Sequence, residues 1–286
     1  MPELPEVEIV KQSVERSILF QKINDVLIKN RKLRFKIQNN FKSLLKNKKI
    51  IKVSRKFKYL IIHFEKEEFL IIHFGMSGTL HLLKKNNHDY TNLSFYSSRK
   101  LPKKHNHVII IFPNFKLVYN DPRRFGFFKF LFSKKQLNFF FKNYGPEPLS
   151  SKFDLNYLKI KLKSKKKNIK NLLLDQTFVS GIGNIYANEI LFYSKINPEK
   201  NGKKLKINEI KNIIKFSKIV LNKAIKRGGS SIKNFKNIKG LSGTFQKEFK
   251  VYERENKNCL KRNCRGIIKR IIISNRSTFL CNYCQK

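Results

Sequence analysis

The chain has 286 residues, 41% of them hydrophobic, and carries 63 Lys and Arg against 19 Asp and Glu, a net charge of +44. That apolar share excludes wholesale disorder, and the length accommodates two domains with ordinary cores. Charged residues break every apolar run before the ~18 residues of a membrane span, and the acidic N-terminus is unlike a signal peptide. So large a cationic excess repels itself unless a polyanion neutralises it, which makes nucleic acid the default partner. A second cause also operates. The chain is rich in Lys, Asn, Ile and Phe and has no Trp, as the product of an AT-rich genome would be, so part of its Lys is drift on solvated faces.

The chain opens Met1-Pro2-Glu3-Leu4-Pro5-Glu6. Met before a small residue is expected to be removed, leaving Pro2 with a free secondary amine. An α-amine has a pKa near ~7.8 against ~10.4 for Lys, so on the order of 10% is unprotonated at pH 7 and able to attack carbon. Glu3, Glu6 and Glu8 supply carboxylates beside it. A plainer reading also fits. Pro5 and the glutamates suit a helix start, and Val7, Val10, Val14 and Ile18 form one apolar face of that helix.

Residues 23 to 133 read as β. Leu60–Phe64 and Leu70–Phe74 are near copies flanking the charged turn 65–68, a hairpin pattern. Val108–Phe112 and Leu117–Tyr119 flank Pro113-Asn114 as a second hairpin, and Phe127–Phe132 gives a further strand, so a sandwich or barrel is expected. Gly75-Met76-Ser77-Gly78 ends a strand. Met76 is either an apolar wedge for a base stack or a side chain packed under the turn. In Asp121-Pro122-Arg123-Arg124-Phe125-Gly126, two guanidiniums suit phosphates or base edges and Phe125 can stack.

Gly145-Pro146-Glu147-Pro148 reads as a linker, after which the pattern turns helical. Helices are expected over Lys170–Phe178 and Ile185–Ile196, joined through Gly181-Ile182-Gly183-Asn184, whose backbone N–H groups at a helix start suit a phosphate. Another runs from Glu209 to Arg227 and stops at Gly228-Gly229. Residues 228–245 read as a long loop. All four cysteines lie in the last 28 residues, as Cys259-x4-Cys264 and Cys281-x2-Cys284 with sixteen residues between the pairs. That spacing predicts a closed four-thiolate zinc site in a reducing compartment, one structural ion that folds the module and does no chemistry. Two strands, Ile267–Ile273 and Ser277–Cys281, would meet at Ser274-Asn275-Arg276, where Arg276 is either a phosphate ligand or an ordinary turn residue.

Taken in order, the opening Pro2–Glu6, His73–Gly78, Asp121–Gly126, Gly181–Asn184 and the cysteine module resemble bacterial formamidopyrimidine-DNA glycosylases from the first residue to the last. The resemblance implies an α+β chain. An N-terminal β-sandwich catalytic domain with a leading helix would occupy 1–133 and a linker 134–150. A helix–two-turn–helix domain would span 151–255, with a lesion loop near 228–245, and a zinc-finger β-hairpin 256–286, with DNA across the cleft. It implies Pro2 as nucleophile, Glu3 as acid/base, Lys58 at a phosphate and in β-elimination, and Arg276 in δ-elimination. Met76, Arg123 and Phe125 would fill the gap left by an everted nucleotide. His73, His105, Arg124, Lys166, Lys170, Asn184 and Tyr252 would contact DNA, and Cys259, Cys264, Cys281 and Cys284 would hold Zn2+.

The function so implied is removal of oxidised purines from double-stranded DNA and β,δ-elimination at the abasic site, by a monomer in the bacterial cytoplasm with no membrane partner. Two rivals stand beside it: an endonuclease VIII type acting on oxidised pyrimidines, and a non-catalytic basic zinc-ribbon DNA binder. Two departures from the family pattern are visible. The first cysteine pair has four intervening residues where two are usual, and Ser230-Ser231 stands where threonines are frequent.

Overall fold

The first apolar stripe becomes helix α1 (Leu4–Ile18), and Val7, Val10, Val14 and Ile18 are all completely buried. Pro5 in its first turn and Glu6 beside it follow the usual chemistry of a helix N-terminus. The structure is a computed structural model and describes residues 1–84, 90–92, 103–230 and 243–286; of the expected lesion loop, 231–242 lie outside that set. The chain separates into two units, 1–142 with 227–244, and 143–226 with 245–286.

In the first unit, α1 is followed by β1 (Asp25–Ile28), the short helix α2 (Phe41–Leu45), β2 (Ile50–Lys56), β3 (Tyr59–Phe64) and β4 (Glu68–His73). Then come β5 (Thr79–Lys84), β6 (Tyr90–Asn92), β7 (Asn106–Ile111), β8 (Phe115–Asn120), β9 (Phe127–Leu131) and helix α3 (Lys134–Phe140). Two antiparallel sheets result, ordered β1-β7-β8-β5-β6 and β2-β3-β4-β9, the expected sandwich. Both expected hairpins are present, β3 paired with β4 and β7 with β8. The near-continuous apolar runs of β3 and β4 are explained by burial on both faces: Leu60, Ile61, Ile62, Leu70, Ile71 and Ile72 are all buried, and α1 packs across β2 and β3.

The chain changes sheet twice at one end of the sandwich, from β4 to β5 through 74–78 and from β8 to β9 through 121–126. These crossovers carry the two motifs singled out in the sequence.

The second unit holds α4 (Leu155–Leu162), α5 (Ile169–Leu174), α6 (Asn184–Ser194), α7 (Ile207–Lys226), and the hairpin β10 (Ile268–Ile273) with β11 (Arg276–Cys281). Helix α5 is shorter than the expected Lys170–Phe178. Asp175 ends it by turning its carboxylate onto the N–H and hydroxyl of Thr177, at 2.9 and 2.7 Å. Helix α6 is buried almost all round and forms the centre of this unit's core. Helix α7 ends where expected, before Gly228 and Gly229 at φ 76° and 81°. The β10–β11 turn is Ser274-Asn275, both at positive φ, which makes Arg276 the first residue of β11 and not part of the turn. No helix among the described residues is long and apolar enough to cross a membrane.

Candidate active site

Glu3 is the N-cap of α1 and forms a reciprocal capping box with Glu6. Its side chain accepts the Glu6 N–H, while Glu6 Oε2 accepts the Glu3 N–H at 3.0 Å. Both carboxylates and Pro2 are buried. Glu6 turns its other oxygen to Ser230, accepting the backbone N–H and the hydroxyl at 2.9 Å each. The terminal amine, which belongs to Met1 here and stands one residue ahead of the Pro2 nitrogen, has its pKa lowered chiefly by burial. Glu3 and Glu6 oppose that shift, while the cations of Lys58 and Arg123 add to it.

Lys58 sits in the two-residue turn between β2 and β3, next to Phe57 at φ 57°. Arg55 fastens that turn to α1, donating from Nε to Glu8 Oε2 at 2.8 Å and from Nη1 to Phe57 O at 2.9 Å. The lysine is buried, with only 6% of its surface exposed, so it reaches the site from a rigid support.

His73 closes β4. It stacks on Phe127 at 5.4 Å and lies against Tyr59 at 4.9 Å. Its Nδ1 accepts the Gly75 N–H at 3.1 Å, which leaves Nε2 as the N–H of a neutral ring. Burial, then the charges of Lys58 and Arg34, lower its pKa to about 4. Beyond it the two crossovers lie side by side. Gly75 adopts φ 57°, and a Cβ there would stand 2.4 Å from the Phe125 carbonyl carbon, so only glycine permits this approach.

Met76 and Phe125 are exposed, at 42% and 44%, and the Arg123 guanidinium lies 4.7 Å over the Phe125 ring. Met76 is therefore not part of the buried core. A cavity of about 800 Å³ is lined by Met1, Lys32, Leu33, Arg34, His73, Gly75, Met76 and Arg123–Phe125. The terminus, the imidazole and the side chains of Met76, Arg123 and Phe125 thus share one cavity in the first unit. His105 is half-buried just before β7, and its carbonyl accepts the Asp121 N–H at 3.0 Å.

In the second unit Asn184 begins α6, and its Nδ2 donates to Ser277 O at 3.0 Å. Arg276 and Lys166 are exposed. Lys170, expected at the DNA, is instead completely buried: its ammonium donates to Ser277 O at 3.1 Å and Thr278 Oγ1 at 2.6 Å, bracing the hairpin. Tyr252 is half-buried against Phe249 and Phe279, and its backbone N–H donates to Glu189.

Glu189, entirely buried on α6, accepts the N–H groups of Lys250, Val251 and Tyr252 at 2.9–3.1 Å. Burial raises its pKa and these bonds oppose the rise. Glu189→Ala strands three backbone donors and is expected to cost on the order of 3 kcal/mol, read as a lowered midpoint in urea unfolding. An unchanged midpoint would contradict the role.

The four cysteine Sγ atoms lie within 4.8 Å of one another, with separations such as 3.3, 3.7 and 3.9 Å. A tetrahedral ion with Zn–S of about 2.3 Å needs edges near ~3.8 Å, so the set fits zinc. Gly266 is required beside it, since a Cβ would fall 2.6 Å from Cys281 Sγ. The longer first knuckle does not prevent convergence.

Sequence reading missed Lys32 and Arg34 at the cavity, and the buried Asp121 beneath both crossovers. The first two had a signal in Arg31-Lys32-Leu33-Arg34-Phe35, where Arg and an aromatic interleave.

Comparison with known proteins adds to this geometry. Residues 1–128 match the family profile for the formamidopyrimidine-DNA glycosylase N-terminal domain, and residues 144–236 the profile for its H2TH domain. A formamidopyrimidine-DNA glycosylase of Rickettsia bellii is 43% identical over 287 residues, with all of both chains covered. The fold is similar to a Lactococcus lactis Fpg mutant in complex with a Fapy-dG containing DNA, at TM-score 0.88 and 34% identity over 100% of both chains. It is also similar to Lactococcus lactis Fpg with an abasic site containing DNA, at TM-score 0.86 and 34% identity over 99% of both chains. A terminal amine beside a carboxylate pair, a cavity lined by Met76, Arg123 and Phe125, and a four-thiolate hairpin therefore accompany full-length similarity, and the chain belongs to the formamidopyrimidine-DNA glycosylase family.

Proposed function

We propose that the protein removes formamidopyrimidines and oxidised purines from duplex DNA and cleaves the strand at the resulting abasic site. The observation that carries this is the buried terminal amine held among Glu3, Glu6, Lys58 and Arg123 on the cavity that presents Met76 and Phe125. With Met1 removed, the Pro2 nitrogen becomes the terminal amine. It attacks C1′ of the everted nucleotide; the bond from C1′ to the base breaks with its electron pair going to the base, the amine gives up its proton, and the nitrogen lone pair then expels O4′, which opens the ring (the C1′–O4′ bond can also break before the base leaves). Glu3 supplies the proton that the departing group takes up. The resulting iminium acidifies C2′; loss of that proton expels the 3′ phosphate, and a second elimination expels the 5′ phosphate. Lys58 serves the phosphate and β-elimination, and Arg276 the δ step.

His73, His105, Arg124, Lys166, Asn184 and Tyr252 are the proposed DNA contacts. For Asn184 the start of α6 offers backbone N–H groups as well. Neutral His73 donates from Nε2 without presenting a charge. Cys259, Cys264, Cys281 and Cys284 would hold one zinc ion, which supplies folding free energy to the hairpin bearing Arg276 and takes no part in bond breaking. We place the enzyme in the bacterial cytoplasm as a monomer.

The test is a single-turnover assay on duplexes carrying a formamidopyrimidine, an oxidised pyrimidine or no lesion. Excision and nicking confined to damaged strands, with the purine lesion fastest, support the reading; binding without nicking would make the protein a basic DNA binder. Met76→Ala is expected to slow excision roughly tenfold more than cleavage of a preformed abasic site, which has no stacked base to evert. Equal losses on both substrates would contradict a wedge role for Met76.

A further inference from the structure

The crossovers carrying Met76, Arg123 and Phe125 are joined by a polar bridge that no step above uses. Ser77 Oγ donates to Asp121 Oδ1 at 2.5 Å and accepts the Arg123 N–H at 3.2 Å. The second carboxylate oxygen accepts the Tyr119 hydroxyl at 3.1 Å and the Gly126 N–H at 2.9 Å. Asp121 has no exposed surface. It begins the second crossover and Gly126 ends it, so one carboxylate grips both ends of that turn and, through Ser77, the other turn as well. The turn has no room to shift: a Cβ on Gly126 would stand 1.7 Å from the Tyr119 hydroxyl oxygen and 2.5 Å from the His73 carbonyl oxygen.

We propose that Asp121, acting through Ser77, is a positioning residue that holds Met76 in register with Arg123 and Phe125, so that the three enter the base stack as one wedge. This rests on the glycosylase reading. A carboxylate with no exposure is costly to bury, and hydroxyl and backbone donors drawn from the two crossovers and adjoining β8 offset that cost. Arg123 and Phe125 are already stacked on each other. Met76 comes from the other crossover, and the residue after it is the one that makes the bridge. Separate side chains inserting independently would each lose orientational freedom at the moment of eversion; a bridged set has lost it beforehand.

The test compares single-turnover excision of an oxidised purine with cleavage of a preformed abasic site. The proteins are wild type, Ser77→Ala, Ser77→Thr, Met76→Ala and the Met76→Ala/Ser77→Ala double variant. Losing the bridge is expected to slow excision about tenfold, the scale of one hydrogen bond network member, and abasic cleavage less than about twofold. Ser77→Thr keeps the hydroxyl and restores excision. The double variant is no slower than Met76→Ala, because nothing remains to be positioned. The fluorescence rise of a 2-aminopurine beside the lesion, which reports unstacking, falls in Ser77→Ala in parallel with excision.

Tyr119→Phe removes only one bond to the carboxylate and shows a smaller loss of the same kind, which keeps the test decisive should Ser77→Ala fold poorly. Equal losses on both substrates, or losses that multiply in the double variant, would overturn the proposal. A wild-type protein inactive on both duplexes would instead remove the glycosylase reading on which it stands.

Discussion

Glu3→Gln is expected to lose base excision by about 10²–10⁴-fold while keeping much of its strand cleavage at preformed abasic sites. The structure makes this substitution informative. The Glu3 side chain caps α1 by accepting the Glu6 N–H, and a glutamine oxygen accepts the same bond, so the helix start survives. What glutamine cannot do is exchange a proton at neutral pH. Expelling a base from an intact nucleoside needs that proton, whereas an abasic sugar already equilibrates with an aldehyde that an amine captures with less help. Burial at the chain start lowers the pKa of the Met1 amine, and the same burial is expected to favour the unprotonated Pro2 amine in both reactions once Met1 is gone. Single-turnover rates on the two substrates, from one preparation, give the comparison. Excision near the wild-type rate would reduce Glu3 to a helix cap and make Glu6 the candidate acid.

The second large effect is expected from Cys281→Ser. Cys281 ends β11, is wholly buried, and shares its cluster with three other thiols. Structural zinc contributes on the order of 10 kcal/mol to small modules of this kind, far more than the short β10–β11 pair supplies alone. Losing one ligand therefore unfolds the hairpin and, with it, the placement of Arg276. Zinc content measured on the purified variant should fall from one ion per chain to none, and affinity for abasic duplex should drop at least about tenfold. Full activity in metal-free protein would contradict a structural ion.

Much of this was legible in the sequence, for physical reasons that differ by element. The α1 stripe was readable because Val7, Val10, Val14 and Ile18 are fully buried, while the polar Lys11, Gln12, Glu15 and Arg16 between them stay at least partly accessible. The cysteine spacing was readable because four ligands around one ion leave few arrangements. Less local features were hidden. Helices α3 and α4 are short, and their signals were the caps Ser133 and Asp154, which accept from Gln136 and Tyr157. The resemblance put Lys170 at the DNA, where the lysine run at 165–167 makes the match less secure, and its place on α5 turns it to the hairpin. Asp121 was read only as part of its own motif, since its partner Ser77 lies 44 residues away.

Arginine offered an unused clue. Only 13 of the 63 cations are Arg, and three of them, Arg34, Arg123 and Arg124, line the cavity with Met1, where a planar fork does what a lysine cannot. Arg31 spends its fork on the carbonyls of residues 37–39, shaping the loop that presents Arg34.

The central claim is that the amine of Pro2 forms the covalent bond to DNA. Borohydride reduction of the protein mixed with abasic duplex, followed by proteolysis and mass mapping of the adduct, tests it directly. The account predicts one DNA-linked peptide, beginning at Pro2 and lacking Met1. An adduct on an internal lysine such as Lys58, or no adduct under conditions where the strand is cut, would contradict it.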